Sequence, residues 1–281
     1  MKKIMKVVGV LSFVCFSFYY TDSAVDIIKR NDPIMKDIIS VINNYEVSSV
    51  DAILIDNSVV PGMSGMTIDI DKSYSKMKQL GEFNKNLLVF KEIYPVLSVD
   101  DNRDKYIVRG NSNKNEVSLI ITFEDTSYLE EILEILNNKK VKATIFLEHD
   151  IIIDSVDAVR LFALNNYRME LLGDNYKYDR QIINYGNMIY KNIGTNKAKY
   201  CFSVIEDKDL LKTCNNENFR VVIPSIDAIK YPYNDVKKNL ENGSIIRLSN
   251  NSSTLRELNS VINYIMQKGK KIVSLDKLLE E

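Results

Sequence analysis

Glu124 and Asp125 stand side by side directly after one apolar run, Val117–Phe123, and the only histidine of the chain, His149, follows a second run, Val141–Leu147. A carboxylate that takes a proton, next to one that can hold a metal, is an arrangement suited to metal-assisted hydrolysis. Asp174 and Glu148 are further carboxylates within reach of such a site. Sequence neighbours such as Glu124 and Asp125 cannot by themselves flank a glycosidic bond, as glycoside hydrolysis requires. A serine or cysteine triad would need His149 as its base, and no nucleophile motif accompanies it.

The elements around these residues predict where they lie. Val117–Phe123 and Val141–Leu147 have the length and near-continuous apolar character of strands buried on both faces. Between them Leu129, Ile132, Leu133, Ile135 and Leu136 recur at helical spacing, with Thr126 or Ser127 placed to cap the helix start. A strand–helix–strand crossover is right-handed and its strands parallel, so Glu124, Asp125, Glu148 and His149 belong at the carboxyl ends of neighbouring strands. Barrel and open-sheet enzymes keep their active sites at that end.

These segments resemble the NodB-homology, or polysaccharide deacetylase, family. Its T-F-D-D-G segment matches Thr122-Phe123-Glu124-Asp125-Thr126, and its V-K-A-T-F-F-type strand matches Val141-Lys142-Ala143-Thr144-Ile145-Phe146. The stretches Asn242–Asn250 and Gly269–Leu279 are similar to that family's last two strands. The resemblance covers 111–281 and implies an α/β fold, a NodB-type deformed (β/α) barrel with an N-terminal α/β extension.

Carried over position by position, the resemblance puts Glu124 at the catalytic base and Asp125 at the metal. The family's H-x-x-x-H segment is matched by Asp174 to Tyr178, so aspartate and tyrosine replace two histidine ligands. A neutral tyrosine, with an ordinary pKa near 10, is a poor zinc ligand. Ser249 stands where the last motif has its proton-donating histidine. The R-x-P-x-G segment is absent near Lys199–Ser203, and the chain has no tryptophan.

Degenerate chemistry is therefore expected, with no cofactor. The alternative is an active, metal-dependent polysaccharide N-deacetylase whose Asp125, Asp174, Glu148 and His149 converge on a divalent ion. Such an oxygen-rich set favours magnesium or manganese over zinc. A second alternative is a structural component of a membrane-bound complex.

With 281 residues, 45% of them hydrophobic, and a formal charge of −1, the chain holds material for one large domain plus an extension. No basic footprint points to nucleic acid. Lys2, Lys3 and Lys6 precede an apolar run, Val7–Tyr20, in the manner of a signal peptide or a retained membrane anchor over 1–24. Export to the outer face of the membrane or to the cell wall follows as the expectation. Cys201 and Cys214 lie beyond that segment. An oxidising exterior permits a disulfide between them, and two buried free thiols are the other outcome.

An extension is expected over 25–110. Asp32-Pro33 signals a helix start, and Gly81 a left-handed cap at the end of a second helix near Asp71–Leu80. The glycines of Val59–Met66 suggest a turn, and Leu87–Tyr94 and Lys105–Arg109 read as strands that extend the barrel's edge. A glycan of the cell wall, or an envelope protein, is the expected partner. Tyr176, Tyr178, Tyr200, Tyr231 and Tyr233 are candidate stacking surfaces for sugar rings, or buried core residues.

Overall fold

The computed structural model describes residues 29–281. The signal-like segment lies outside the described residues. In chain order the strands are β1 (Ile53–Ile55), β2 (Ser58–Val60), β3 (Gly65–Ile68), β4 (Phe90–Ile93), β5 (Tyr106–Ile107), β6 (Glu116–Phe123), β7 (Thr144–Glu148), β8 (Arg168–Gly173), β9 (Tyr200–Phe202), β10 (Arg220–Val222), β11 (Ile226–Asp227), β12 (Ile245–Ser249) and β13 (Lys271–Val273). Among the described residues, no helix is long and apolar enough to cross a membrane.

Two compact units emerge, one from 29–49 with 64–94 and the other from 50–63 with 95–281. In the smaller unit, Asp32 caps helix Pro33–Tyr45 by accepting from the Ile34 amide at 2.9 Å. Helix Ile70–Leu80 ends at Gly81, whose φ of 86° suits a residue without Cβ. The strand read over Leu87–Tyr94 does not extend the barrel. It forms β4, which pairs antiparallel with β3 inside this unit.

The larger unit carries two sheets, ordered β1-β2-β5-β10-β9 and β11-β12-β6-β7-β8, with β13 on the first half of β6. All pairings in both are parallel except β1 with β2. The expected boundary at 110 falls inside this unit, since β1, β2 and β5 complete the sheet that β9 and β10 begin. The two glycines of Val59–Met66 lie at close approaches rather than in a left-handed turn: a Cβ on Gly62 would stand 2.3 Å from the Val50 carbonyl oxygen.

Strand alternation sorts the core into two layers. From β6, Val117, Leu119, Ile121 and Phe123 face the helices, while Ile120 joins Phe146, Leu172, Phe202, Val222 and Ile245 in a separate inner cluster. That inner cluster is the interior of the barrel. β8 and β9, although adjacent, share no ladder hydrogen bonds between the two sheets. Side chains stitch this seam. Glu170 of β8 accepts from the Lys199 and Tyr200 amides at 2.6 and 2.9 Å, and the Tyr178 hydroxyl donates to Leu171 O while accepting from the Phe202 amide, both at 2.8 Å.

Cys201 of β9 and Cys214 of helix Lys208–Asn216 are joined by a disulfide, both fully buried, with Cα atoms 6.4 Å apart. In the chain-entropy model, closing a loop of this size stabilises the fold by about 3 kcal/mol.

Candidate functional site

Alternation along the strands also fixes which side chains reach the mouth of the barrel. Counting inward positions from Ile120 leads to Thr122 and Glu124, from Phe146 to Glu148, and from Ile245 to Arg247 and Ser249. Asp174 follows β8 in a tight turn, where the Asp174 amide donates to Lys177 O and the Lys177 amide to Asp174 O, each at 2.9 Å. Asn175 and Tyr176, at φ 48° and 62°, occupy its two left-handed positions. Gly173, at φ 83°, precedes it, where a Cβ would meet Lys177 O at 2.4 Å. A non-glycine residue held left-handed stores strain, so this turn fixes Tyr176 against a local cost.

What Tyr176 gains is a place over the barrel interior. Its ring lies 6.0 Å from that of Phe202, and its hydroxyl donates to the Glu124 carboxylate while accepting from Arg247 Nη2 at 2.5 Å. Arg247 is only 5% exposed. Its guanidinium stands 5.0 Å from the Phe202 ring centre and 5.4 Å from that of Tyr176, with Glu124 at 3.8 Å and Asp227 at 3.5 Å as ion partners. A buried arginine needs such compensation, since an unpaired charge there is costly. Burial and the bond to Glu124 hold the Tyr176 hydroxyl far above the usual phenol range. The carboxylate at the base position is thus already engaged, and the space inside it is filled by a tyrosine and an arginine.

The other predicted residues lie at neighbouring strand ends without converging. Asp125 accepts from the Ser127 amide and from Asn250 Nδ2, both at 2.7 Å, and these bonds hold its carboxyl below the usual range against burial. Asp174 accepts from the side chain of its neighbour Asn175 at 2.8 Å and is exposed. His149 turns to Tyr185, ring centres 6.0 Å apart, and its Nδ1 is buried without a partner. Among the described residues no three His, Cys, Asp or Glu side chains are grouped to hold a metal ion. The metal that this fold implies elsewhere does not fit the residues present. Asp125 is spent on an Asx-type turn and Tyr178 on the seam, and the set of Asp125, Asp174, Glu148 and His149 named for the active-deacetylase alternative is not gathered among the described residues.

Three residues that sequence analysis passed over, or left without their role, organise the mouth. Asn250 donates to Asp125 O and Ser127 O as well as to the Asp125 carboxylate, and it accepts from the Glu124 amide at 3.3 Å. The expected Thr126 or Ser127 cap does not form: helix Leu129–Asn138 starts from Tyr128, in a left-handed conformation and with no side-chain cap. Arg247 was readable as one charge in an otherwise uncharged, wholly buried strand. Glu148, 8% exposed, accepts from the Asn175 amide at 2.6 Å, and its other oxygen is buried without a partner.

Burial raises the Glu148 carboxyl above the ordinary 4.5, with Asp174, Asp150 and Glu124 pushing the same way and the Asn175 amide against. Folding then favours the protonated form. Its contribution is full below about 4.5 and is lost as pH rises through the higher folded value. Glu148→Gln is expected to flatten the fall in stability above that pH, read from urea midpoints between about pH 4 and pH 8. An unchanged slope would refute the assignment.

No family model matches the chain. The uncharacterized protein YlxY of Bacillus subtilis is 25% identical over 278 residues, spanning 92% of this chain and 86% of that protein. Among solved structures, BA3943 of Bacillus anthracis, a family 4 carbohydrate esterase (CE4) pseudoenzyme, superposes with a TM-score of 0.68 at 24% identity, over 89% of this chain and 96% of that one. Bacillus subtilis PdaA, a family 4 carbohydrate esterase, gives 0.54 at 18% identity, over 62% of this chain and 84% of that one. The fold is that of the family 4 carbohydrate esterases. The NodB-type barrel expected from the Thr122–Thr126 and Val141–Phe146 segments is therefore the observed one. The longer match to BA3943 takes in residues before the barrel segment, in keeping with the strands that β1, β2 and β5 add to it.

Proposed function

We propose that this chain is an exported cell-envelope protein whose deacetylase-like barrel binds glycan, or a glycan-bearing partner, without turning it over. The observation that carries the reading is the engagement of Glu124 by Tyr176 and Arg247 at the barrel mouth. A base must be free to take a proton from water, and a hydrolysis of this type also needs a metal, an oxyanion donor and an acid. Tyr178 and Ser249 supply neither the metal ligand nor the acid. That a neighbour in fold, BA3943, is described as a pseudoenzyme supports the same reading. Export rests on the basic and apolar residues of 1–24.

The test pairs two assays on the same preparation of the full chain. Calorimetric titration with N-acetylglucosamine oligomers is expected to show binding, while acetate release from those oligomers stays at background with zinc, cobalt or manganese added. Metal-dependent acetate release that Asp125→Ala abolishes would overturn the reading in favour of an active deacetylase. Absence of any glycan binding would leave a structural role instead.

A further inference from the structure

The turn 174–177 covers the barrel mouth without belonging to a sheet. Among the described residues its backbone-to-backbone hydrogen bonds are internal, from the Asp174 amide to Lys177 O and from the Lys177 amide to Asp174 O. Ionisable side chains of the barrel hold it down. The Asn175 amide donates to Glu148 at 2.6 Å, and the Tyr176 hydroxyl donates to Glu124 and accepts from Arg247 Nη2 at 2.5 Å. Asp174, Asn175 and Lys177 face solvent, so Tyr176 alone of the four reaches inward.

Closure of this turn gains the Tyr176 ring against Phe202 and Arg247, and it carries costs on both sides of the ring. Above it, Asn175 and Tyr176 are non-glycine residues held left-handed, at φ 48° and 62°. Below it, Glu148 Oε2 and Arg247 Nε are buried without a hydrogen-bond partner. A polar atom withdrawn from water and left unpaired bears its full desolvation cost. Lifting the turn would relax the backbone and let water reach both atoms. Gains and costs that oppose one another at a single turn describe an element with two accessible positions.

We infer that the turn 174–177 is a lid with a closed and an open state, latched by the Tyr176 hydroxyl, and that the barrel admits a ligand only when the latch releases. Because no ladder bond crosses from the turn to a strand, release is a local opening that leaves both sheets intact. It lifts the ring off Arg247 and frees the Glu124 carboxylate, so that Glu124, Glu148 and Arg247 face solvent together. Any ligand of the mouth then binds with an affinity reduced by the open fraction. The inference is independent of what that ligand is.

Arg247 serves as the reporter. Phenylglyoxal, which modifies accessible guanidinium groups, is applied to the folded full chain, and modification of Arg247 and Arg168 is followed by peptide mass spectrometry. Arg168 is the control, since it starts β8 at the end opposite the turn and is paired with Glu170 and Asp276. In the unmodified chain Arg247 is expected to react slowly, at a rate that urea below the unfolding transition leaves unchanged, as local opening requires. Tyr176→Phe keeps the ring and removes the latch. It is expected to raise the Arg247 rate about tenfold, the effect of losing hydrogen bonds to charged groups, and to leave Arg168 as it was. An Arg247 rate that the variant does not change, or that rises together with that of Arg168 in the variant or in urea, overturns the lid.

Discussion

Glu170→Leu is expected to destabilise the fold by about 3–5 kcal/mol, the cost of removing one partner from a buried ion pair. Glu170 has no exposed surface, and its carboxylate accepts from Arg168 Nε at 2.6 Å as well as from the Lys199 and Tyr200 amides. Leucine would leave those two amides without an acceptor at a seam where no sheet ladder takes over. Arg168 would keep only Asp276, at 3.0 Å, and the Lys197 carbonyl. Glu170→Gln retains a carbonyl acceptor and is expected to lose less, even though burial opposes a charged carboxylate here and pushes its pKa up. Urea unfolding of both variants decides it. A Glu170→Leu protein within about 1 kcal/mol of the unmodified chain would show that the seam is held by something other than this carboxylate.

How much of this was legible in the sequence follows from how local each signal is. β6 and β7 are continuous apolar runs with an amphipathic helix between them, so a short window contains everything needed to place Glu124 and His149 at strand ends. The Asp32 cap and the Gly81 stop are equally local. β5 falls within the strand read over Lys105–Arg109, but its partners, β2 on one side and β10 on the other, lie far away in sequence, so the expected boundary at 110 runs through a sheet. The mouth shows the same division. Residue types gave the positions of Asp125, Asp174 and Tyr178, but their partners are set by tertiary structure. Asn250 reaches back over a sequence distance of 125 to hold Asp125, and no periodicity announces that.

Replacing Asp174, Tyr178 and Ser249 together by histidine, which restores the residue types of active relatives, is expected to leave acetate release at background. Here the obstacle is what the degenerate positions now do. Tyr178 is a seam residue whose hydroxyl joins Leu171 O to the Phe202 amide, so an imidazole there gives up both bonds and opens the wall that should present it. Arg247 and Tyr176 would still fill the barrel interior and hold Glu124, leaving no room for a metal-bound water beside the base. General acid catalysis alone contributes roughly 100-fold to 10,000-fold, and the metal several kcal/mol more, so a site that regains ligands without space regains little. Adding Tyr176→Gly, which suits the left-handed position at φ 62°, and Arg247→Leu to the triple variant clears that space. Zinc binding, read by calorimetric titration, should then appear only in the variant that carries all five substitutions, with acetate release still at background because the oxyanion donor is missing. Turnover by the triple variant alone would show that Tyr176 and Arg247 are bystanders, and that the missing histidines account for the whole loss.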